Sequence, residues 1–411
     1  MHIAAKHIKV VLYALMLNFV SQVNAVELKS LQERIDAAKK GDVITLEPGV
    51  YKGPILIDKT ITLDGQNKAT IDAGGKGSVI YLDTDGAVIR NIHLTNSGNS
   101  HNDIDAGIQV RGNFNVIKDS VIDNCLFGID LQQSEYNVVR RNEISSKPVD
   151  LGMRGDAIRL WYSFGNKITH NYTHDSRDTV VWYSKDNLIA NNRSTRGRYA
   201  LHFMYAQYNK IENNHYWNNS VGIFLMYSDG VEIRNNEVSH ANGATGVGIG
   251  MKESSEIAIT DNKLLYNAVG FYLDVSPFQP DTVNHIENNL VAFNNIGVRF
   301  LNDWPGNHFI NNKFKSNINQ VSVSDGGTAN RNKWDGNYWD DYQGFDLNKD
   351  AIGDTPYEYY SYADRIWMDV PGAEFFKGSP VLEVLDFLER LAPFSPPELV
   401  MKDNQPKLVA K

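Results

Sequence analysis

A unit of about 22 residues restates itself from residue 104 to 322, its strands are short, and no part of it carries helical periodicity. These observations predict an all-β chain wound as a right-handed parallel β-helix, a solenoid with an N-terminal helical cap and a C-terminal helical extension. In each unit a small residue precedes an apolar–x–apolar pair: Gly107–Val110, Gly128–Leu131, Ala157–Leu160, Ala200–Phe203, Gly222–Leu225, Gly248–Met251, Gly270–Leu273 and Gly297–Phe300. A turn follows, and then a second strand bracketed by asparagines, as in Asn166–Asn171, Asn187–Asn192, Asn209–Asn214 and Asn307–Asn312. Tyr183, Tyr205 and Tyr227 keep the same period. One unit cannot bury its own apolar face, whereas stacked units share a continuous core. Asparagine, about one residue in ten, suits the recurring bends because it tolerates left-handed backbone angles. A leucine-rich repeat would need a denser leucine framework.

Taken from the N-terminus, residues 1–25 read as a cleavable export signal. Lys6 and Lys9 form a positive region, Val10–Val20 is apolar, and Val23-Asn24-Ala25 offers small residues at a cleavage site. The apolar run is shorter than the roughly 20 residues a membrane span requires. The solenoid is expected over 26–334. Leu28, Leu31, Ile35 and Ala38 mark one face of a short helix that would cover its first coil. From 335 the pattern gives way to a C-terminal aromatic and acidic region, residues 335–411, ending in a helix. That helix starts at Ser379-Pro380 and stops at Pro393. Val381, Leu382, Val384, Leu385, Phe387, Leu388 and Leu391 cover well over half its circumference, a wider stripe than one core contact needs. The helix is either a docking element for a partner helix or membrane protein, or a cap lying across the solenoid.

The 411 residues carry a net charge of −9, and loss of Lys6 and Lys9 with the leader leaves −11. An acidic chain is poorly suited to nucleic acid. Cys125 is the only cysteine, which excludes an intramolecular disulfide and a thiolate metal cluster and marks a small core residue.

Strand alternation places the x residue of each unit, and the residue after the apolar pair, on the outside. Successive coils then present Arg159 and Trp161, Val180 and Trp182, His202 and Met204, Phe224 and Met226. A contiguous stripe of Trp161, Trp182 and Phe224 reads as a partner-docking surface. His202, Met204 and Met226 supply imidazole and thioether donors of the kind that hold Cu(I) and not Ca²⁺ or Mg²⁺; the plainer reading of the spacing alone is a docking surface or a patch covered by a loop. A second group of Asp150, Arg154, Asp156, His174, Asp175, Arg177, Asp178, Arg196 and Arg198 falls in the bends. It is either a set of salt bridges or the acid–base apparatus of a uronate lyase, hydrolase or epimerase. Asp346, Asn348, Asp350 and Asp354 alternate like half a calcium loop, although Ala351 stands where an EF-hand has glycine. A tight acidic turn accounts for the same spacing.

The segments Gly155–Ser163, Gly197–Tyr205, Val221–Ser228 and Gly246–Lys252 resemble the NosD family, periplasmic β-helix proteins of nitrous oxide reductase maturation in denitrification. The resemblance implies a non-enzymatic periplasmic accessory protein. It would work with an ABC transporter, through its membrane permease and ATPase, with a copper chaperone lipoprotein, and with nitrous oxide reductase, whose copper–sulfur centre is assembled. It strengthens the copper reading of His202, Met204 and Met226. It also favours a permease as the partner of Leu382, Leu385, Phe387, Leu388 and Leu391, which would hold the protein at the membrane. No G-x-x-x-x-G-K-[ST] motif occurs in the chain, so ATP hydrolysis would belong to another subunit.

Overall fold

The computed structural model describes residues 30–324, 327–361, 379–380, 384, 387–388, 391–392 and 397–409. The chain climbs through three parallel sheets, and every third strand joins the same sheet. The first sheet has 13 strands from Val43–Thr45 to Lys333–Asp335, and the second has 13 from Gly49–Lys52 to Tyr338–Trp339. The third has 12, from Ile55–Ile57 to Asn319–Val323. In the three-residue strands the central side chain points inward and its neighbours outward, so Ile117, Val139, Ile168, Ile189, Ile211 and Ile233 stack in one core column.

Asparagine does two jobs. At the bends it sits exposed with positive φ, as at Asn191 (57°), Asn213 (55°) and Asn235 (54°). One residue later it turns inward. Asn142, Asn171, Asn192, Asn214, Asn236, Asn262, Asn289, Asn312 and Asn337 form a buried ladder, in which each backbone N–H and side-chain amide donates to the Oδ1 one coil on. Each Nδ2 also reaches a strand carbonyl on the coil before. Burying so many amides is tolerable because every one is paired.

Both ends are closed. Helix α1 (Leu31–Ala37) begins with a Ser30/Glu33 capping box and buries Leu31 and Ile35 against the first coil. Its Gln32 side chain both donates to and accepts from the backbone of Leu56, occupying the open strand edge. At the far end Tyr357–Ser361 pairs antiparallel with Glu398–Asp403. The buried Asp403 carboxylate there receives the last rung of the ladder, from Asn337 N, Asn337 Nδ2 and Trp339 Nε1. The core turns aromatic beneath it, with Phe314 stacked on Trp339 at 4.3 Å and Trp339 on Tyr357 at 4.7 Å. Cys125 is fully buried, which pushes its thiol up to about 12. The expected export leader, residues 1–25, lies outside the described residues. Among the described residues no helix is long and apolar enough to cross a membrane.

Candidate functional site

The outward face of the third sheet sets the sequence-predicted residues in register. Trp161, Trp182, Met204 and Met226 are successive Cα partners, and Lys252 and Asp274 end the row with an ion pair at 3.7 Å. Two residues earlier on each strand, Arg159, Val180, His202, Phe224 and Gly250 form the neighbouring row. Met204 therefore lies one strand spacing, about 4.8 Å, from Met226, and shares its strand face with His202.

The face is less open than alternation alone predicts. Val180 and Phe224 are 5% and 8% exposed, while Trp161, Trp182, His202, Met204 and Met226 are half-buried. Phe224 lies over Gly250, where any Cβ would collide with the ring, and packs against Tyr199 and Tyr272. Its docking role was expected from exposure that it does not have. Trp161 meets Trp182 edge-on at 4.8 Å, and Arg159 lies over the Trp161 ring at 4.8 Å. Beside this row runs a column of stacked phenols, Tyr162, Tyr183, Tyr205 and Tyr227, with centroids 4.9, 5.1 and 4.8 Å apart. The 22-residue tyrosine spacing signals this column.

His202 stacks on Tyr199 at 4.5 Å, and its Nε2 is buried without a hydrogen-bond partner. Burial holds the imidazole below its ordinary pKa, against the opposing pull of Asp178, so it is neutral and keeps a lone pair at neutral pH. One neutral imidazole and two thioethers are a soft donor set, and the orphaned nitrogen is a site that a metal could satisfy.

The acid–base group resolves into closed ion pairs. Arg177 binds Asp156 at 3.0 Å and lies 3.8 Å from Asp178, which is paired with Arg198. Asp175 is held by Arg196 at 2.6 Å and by His174 at 2.7 Å. Asp150 and Arg154 make no bond to the others: the Arg154 Nε donates to Val149 O, and Asp150 has no side-chain cap bond. Burial raises the Asp156 carboxyl to about 6, with Arg177 opposing. The cavity beside Arg177, Asp178 and His174 is about 10 Å³, room for no more than a water. A sugar ring does not fit there.

Asp346 spends its carboxylate on the backbone N–H groups of Lys349, Asp350 and Ala351, while Asp350 accepts from Ile352 N and Asp354 from Leu347 N. The acidic turn is tied by its own amides. Among the described residues no group of three or more His, Cys, Asp or Glu side chains is placed to hold a metal ion. Sequence reading missed a cavity of about 420 Å³ beside Met226, walled by Tyr199, Phe224 and Tyr272 and floored by Val221, Val247 and Val269 under the Gly243–Gly246 loop.

Residues 142–344, which include this face, match the family described as "Periplasmic copper-binding protein (NosD)". Just under half of the chain is thus similar to the NosD family. A curated relative from Pseudomonas aeruginosa, named a probable ABC transporter binding protein NosD, is 26% identical over 378 residues, covering 85% of this chain and 84% of its own. Among solved structures, the A-module of a mannuronan C-5 epimerase from Azotobacter vinelandii superposes with a TM-score of 0.57 at 16% identity, over 72% of this chain and 90% of that one. A Streptococcus pneumoniae surface protein and adhesin gives 0.54 at 14% identity, over 71% and 94%. An epimerase and an adhesin share the solenoid, so the fold does not choose between catalysis and binding. Within the matched residues, His202, Met204 and Met226 all stand on the third sheet.

Proposed function

We propose that the protein is an exported, non-enzymatic periplasmic scaffold that takes up Cu(I) as cargo at His202, Met204 and Met226 for assembly of the copper–sulfur centre of nitrous oxide reductase. The observation that carries this reading is the buried, unpartnered Nε2 of a neutral His202, on a face shared with two in-register thioethers. Thioether and imidazole ligands on a half-open face permit exchange, which a transfer protein needs and a closed cage would slow. The family description as copper-binding supports the cargo, and the relative's name supports association with an ABC transporter. A copper chaperone lipoprotein would be the donor.

Docking to the transporter permease would use the C-terminal helix. Pro380, Val384, Phe387, Leu388 and Leu391 are helical, and Val384, Phe387, Leu388 and Leu391 are 51–67% exposed at the spacing of one face. Leu382 and Leu385 lie outside the described residues. Trp161 and Trp182 would flank the cargo on the reductase-facing side.

The test is an anaerobic Cu(I) titration against a competing chelator, beside the His202→Ala/Met204→Ala/Met226→Ala protein. Binding of one equivalent, weakened at least a hundredfold in the variant, is expected. Equal binding by both proteins places the copper elsewhere and defeats the assignment.

A further inference from the structure

The first sheet carries a second set of donors, on a different face of the solenoid. His285 and His308 are direct Cα partners on the adjacent parallel strands Asn284–Glu287 and Asn307–Ile310, with ring centroids 5.5 Å apart. We propose that these two imidazoles form a surface site for a borderline divalent transition ion, Cu²⁺ foremost.

Four observations converge on it. Two imidazoles bound to one ion at about 2.0–2.1 Å per nitrogen bring their centroids to roughly 5 Å, so the observed separation closes with small side-chain rotations. The Glu287 carboxylate lies 3.2 Å from His285 Nδ1, which fixes the tautomer and leaves Nε2 as the free ligand. Among the described residues His308 has no hydrogen-bond partner, so neither tautomer is fixed and either ring nitrogen can present the lone pair. The backbone is stiff on either side of the pair. Asn284 bonds Asn307 just before the histidines, and Asn289 bonds Asn312 just after them.

The neighbours on the same face fit an incoming cation. On one side the in-register residue is Ala258, whose side chain is a single methyl group. On the other it is Lys333, whose ammonium is turned to Asp335 at 3.3 Å. Imidazole nitrogens suit Cu²⁺, Ni²⁺ and Zn²⁺, and affinity along that series is highest for copper. Both rings are on the surface, so the ion would complete its coordination with water. This site uses neither thioethers nor the third sheet, and it stands or falls apart from the Cu(I) reading.

The experiment is aerobic titration of the untagged mature protein with Cu²⁺ against a competing chelator, with paramagnetic resonance of the one-equivalent complex. One equivalent bound through two imidazole nitrogens is expected. His285→Ala and His308→Ala should each weaken it at least tenfold, and Ala258→His, which adds a third in-register imidazole, should tighten it at least tenfold. Circular dichroism checks that these substitutions, none of them at a buried position, leave the fold intact. No binding by the wild-type protein, or binding unmoved by both alanine substitutions, overturns the proposal. So does binding lost instead from the His202→Ala/Met204→Ala/Met226→Ala protein.

Discussion

Asp156 shows how much one side chain can resist its surroundings. Burial raises its carboxyl to about 6, although Arg177 lies within 3.0 Å. The folded state therefore holds the proton more tightly than the unfolded chain, and the contribution to stability is present below about pH 4 and lost as pH rises through 6. Between pH 4.5 and 7 that loss amounts to about 2 kcal/mol. Asp156→Asn keeps the shape and abolishes the titration, so urea stability of the variant relative to wild type should rise by about 2 kcal/mol over this interval. Parallel curves for the two proteins would mean that Asp156 ionises as it does in water. His202 has the opposite sign: its imidazole is held below the ordinary value, so acidification costs stability once pH falls below 6.5. At this scale the sequence was only partly informative. It showed which side chains leave the sheet, since alternation is a local rule. It did not show that Phe224 is covered, because the space over Gly250 is created 26 residues away by the next coil.

At the scale of the element, paired asparagines such as Asn213-Asn214 look alike in the sequence and do opposite work. Asn213 takes positive φ at an exposed bend; Asn214 is buried and completes both donors of Asn192 on the coil before. Replacing Asn214 by Ala leaves the Asn192 N–H and Nδ2 short of an acceptor in the interior, at about 1–3 kcal/mol for each group. Asn213→Gly only relieves a left-handed residue and should change stability by less than about 1 kcal/mol. Equilibrium urea unfolding of the two variants distinguishes them, and equal effects would refute the division of labour. The repeat, its strands and its bends were legible because each follows from a periodic pattern within one coil. The inward ladder was not, since its hydrogen bonds run along the axis and exist only once coils stack. His285 and His308 escaped notice for the same reason, although each follows a buried asparagine, Asn284 and Asn307, and these two are bonded to each other.

For the whole molecule, closing the solenoid and the proposed recruitment of a partner are assigned to different parts of the C-terminal region, and an experiment must separate them. Truncation after residue 379 would remove the helix and also Glu398–Asp403, whose carboxylate ends the asparagine ladder and whose Val400 and Met401 enter the core. Loss of partner binding in that truncation could then come from a frayed last coil. Charge on the helix face avoids this. Phe387 and Leu391 are 60% and 67% exposed and one turn apart, so Phe387→Glu with Leu391→Glu removes apolar surface without touching the closing strand. The thermal midpoint should stay within about 2 °C of wild type, because exposed substitutions rarely exceed ±0.5 kcal/mol. Co-purification with the transporter permease should fall at least tenfold, since two carboxylates cannot be buried in an apolar contact without partners. Retained co-purification at unchanged midpoint would free the helix of a docking role and move the interface to the Trp161 and Trp182 face. A lowered midpoint would instead show that the helix packs on the solenoid as a second cap.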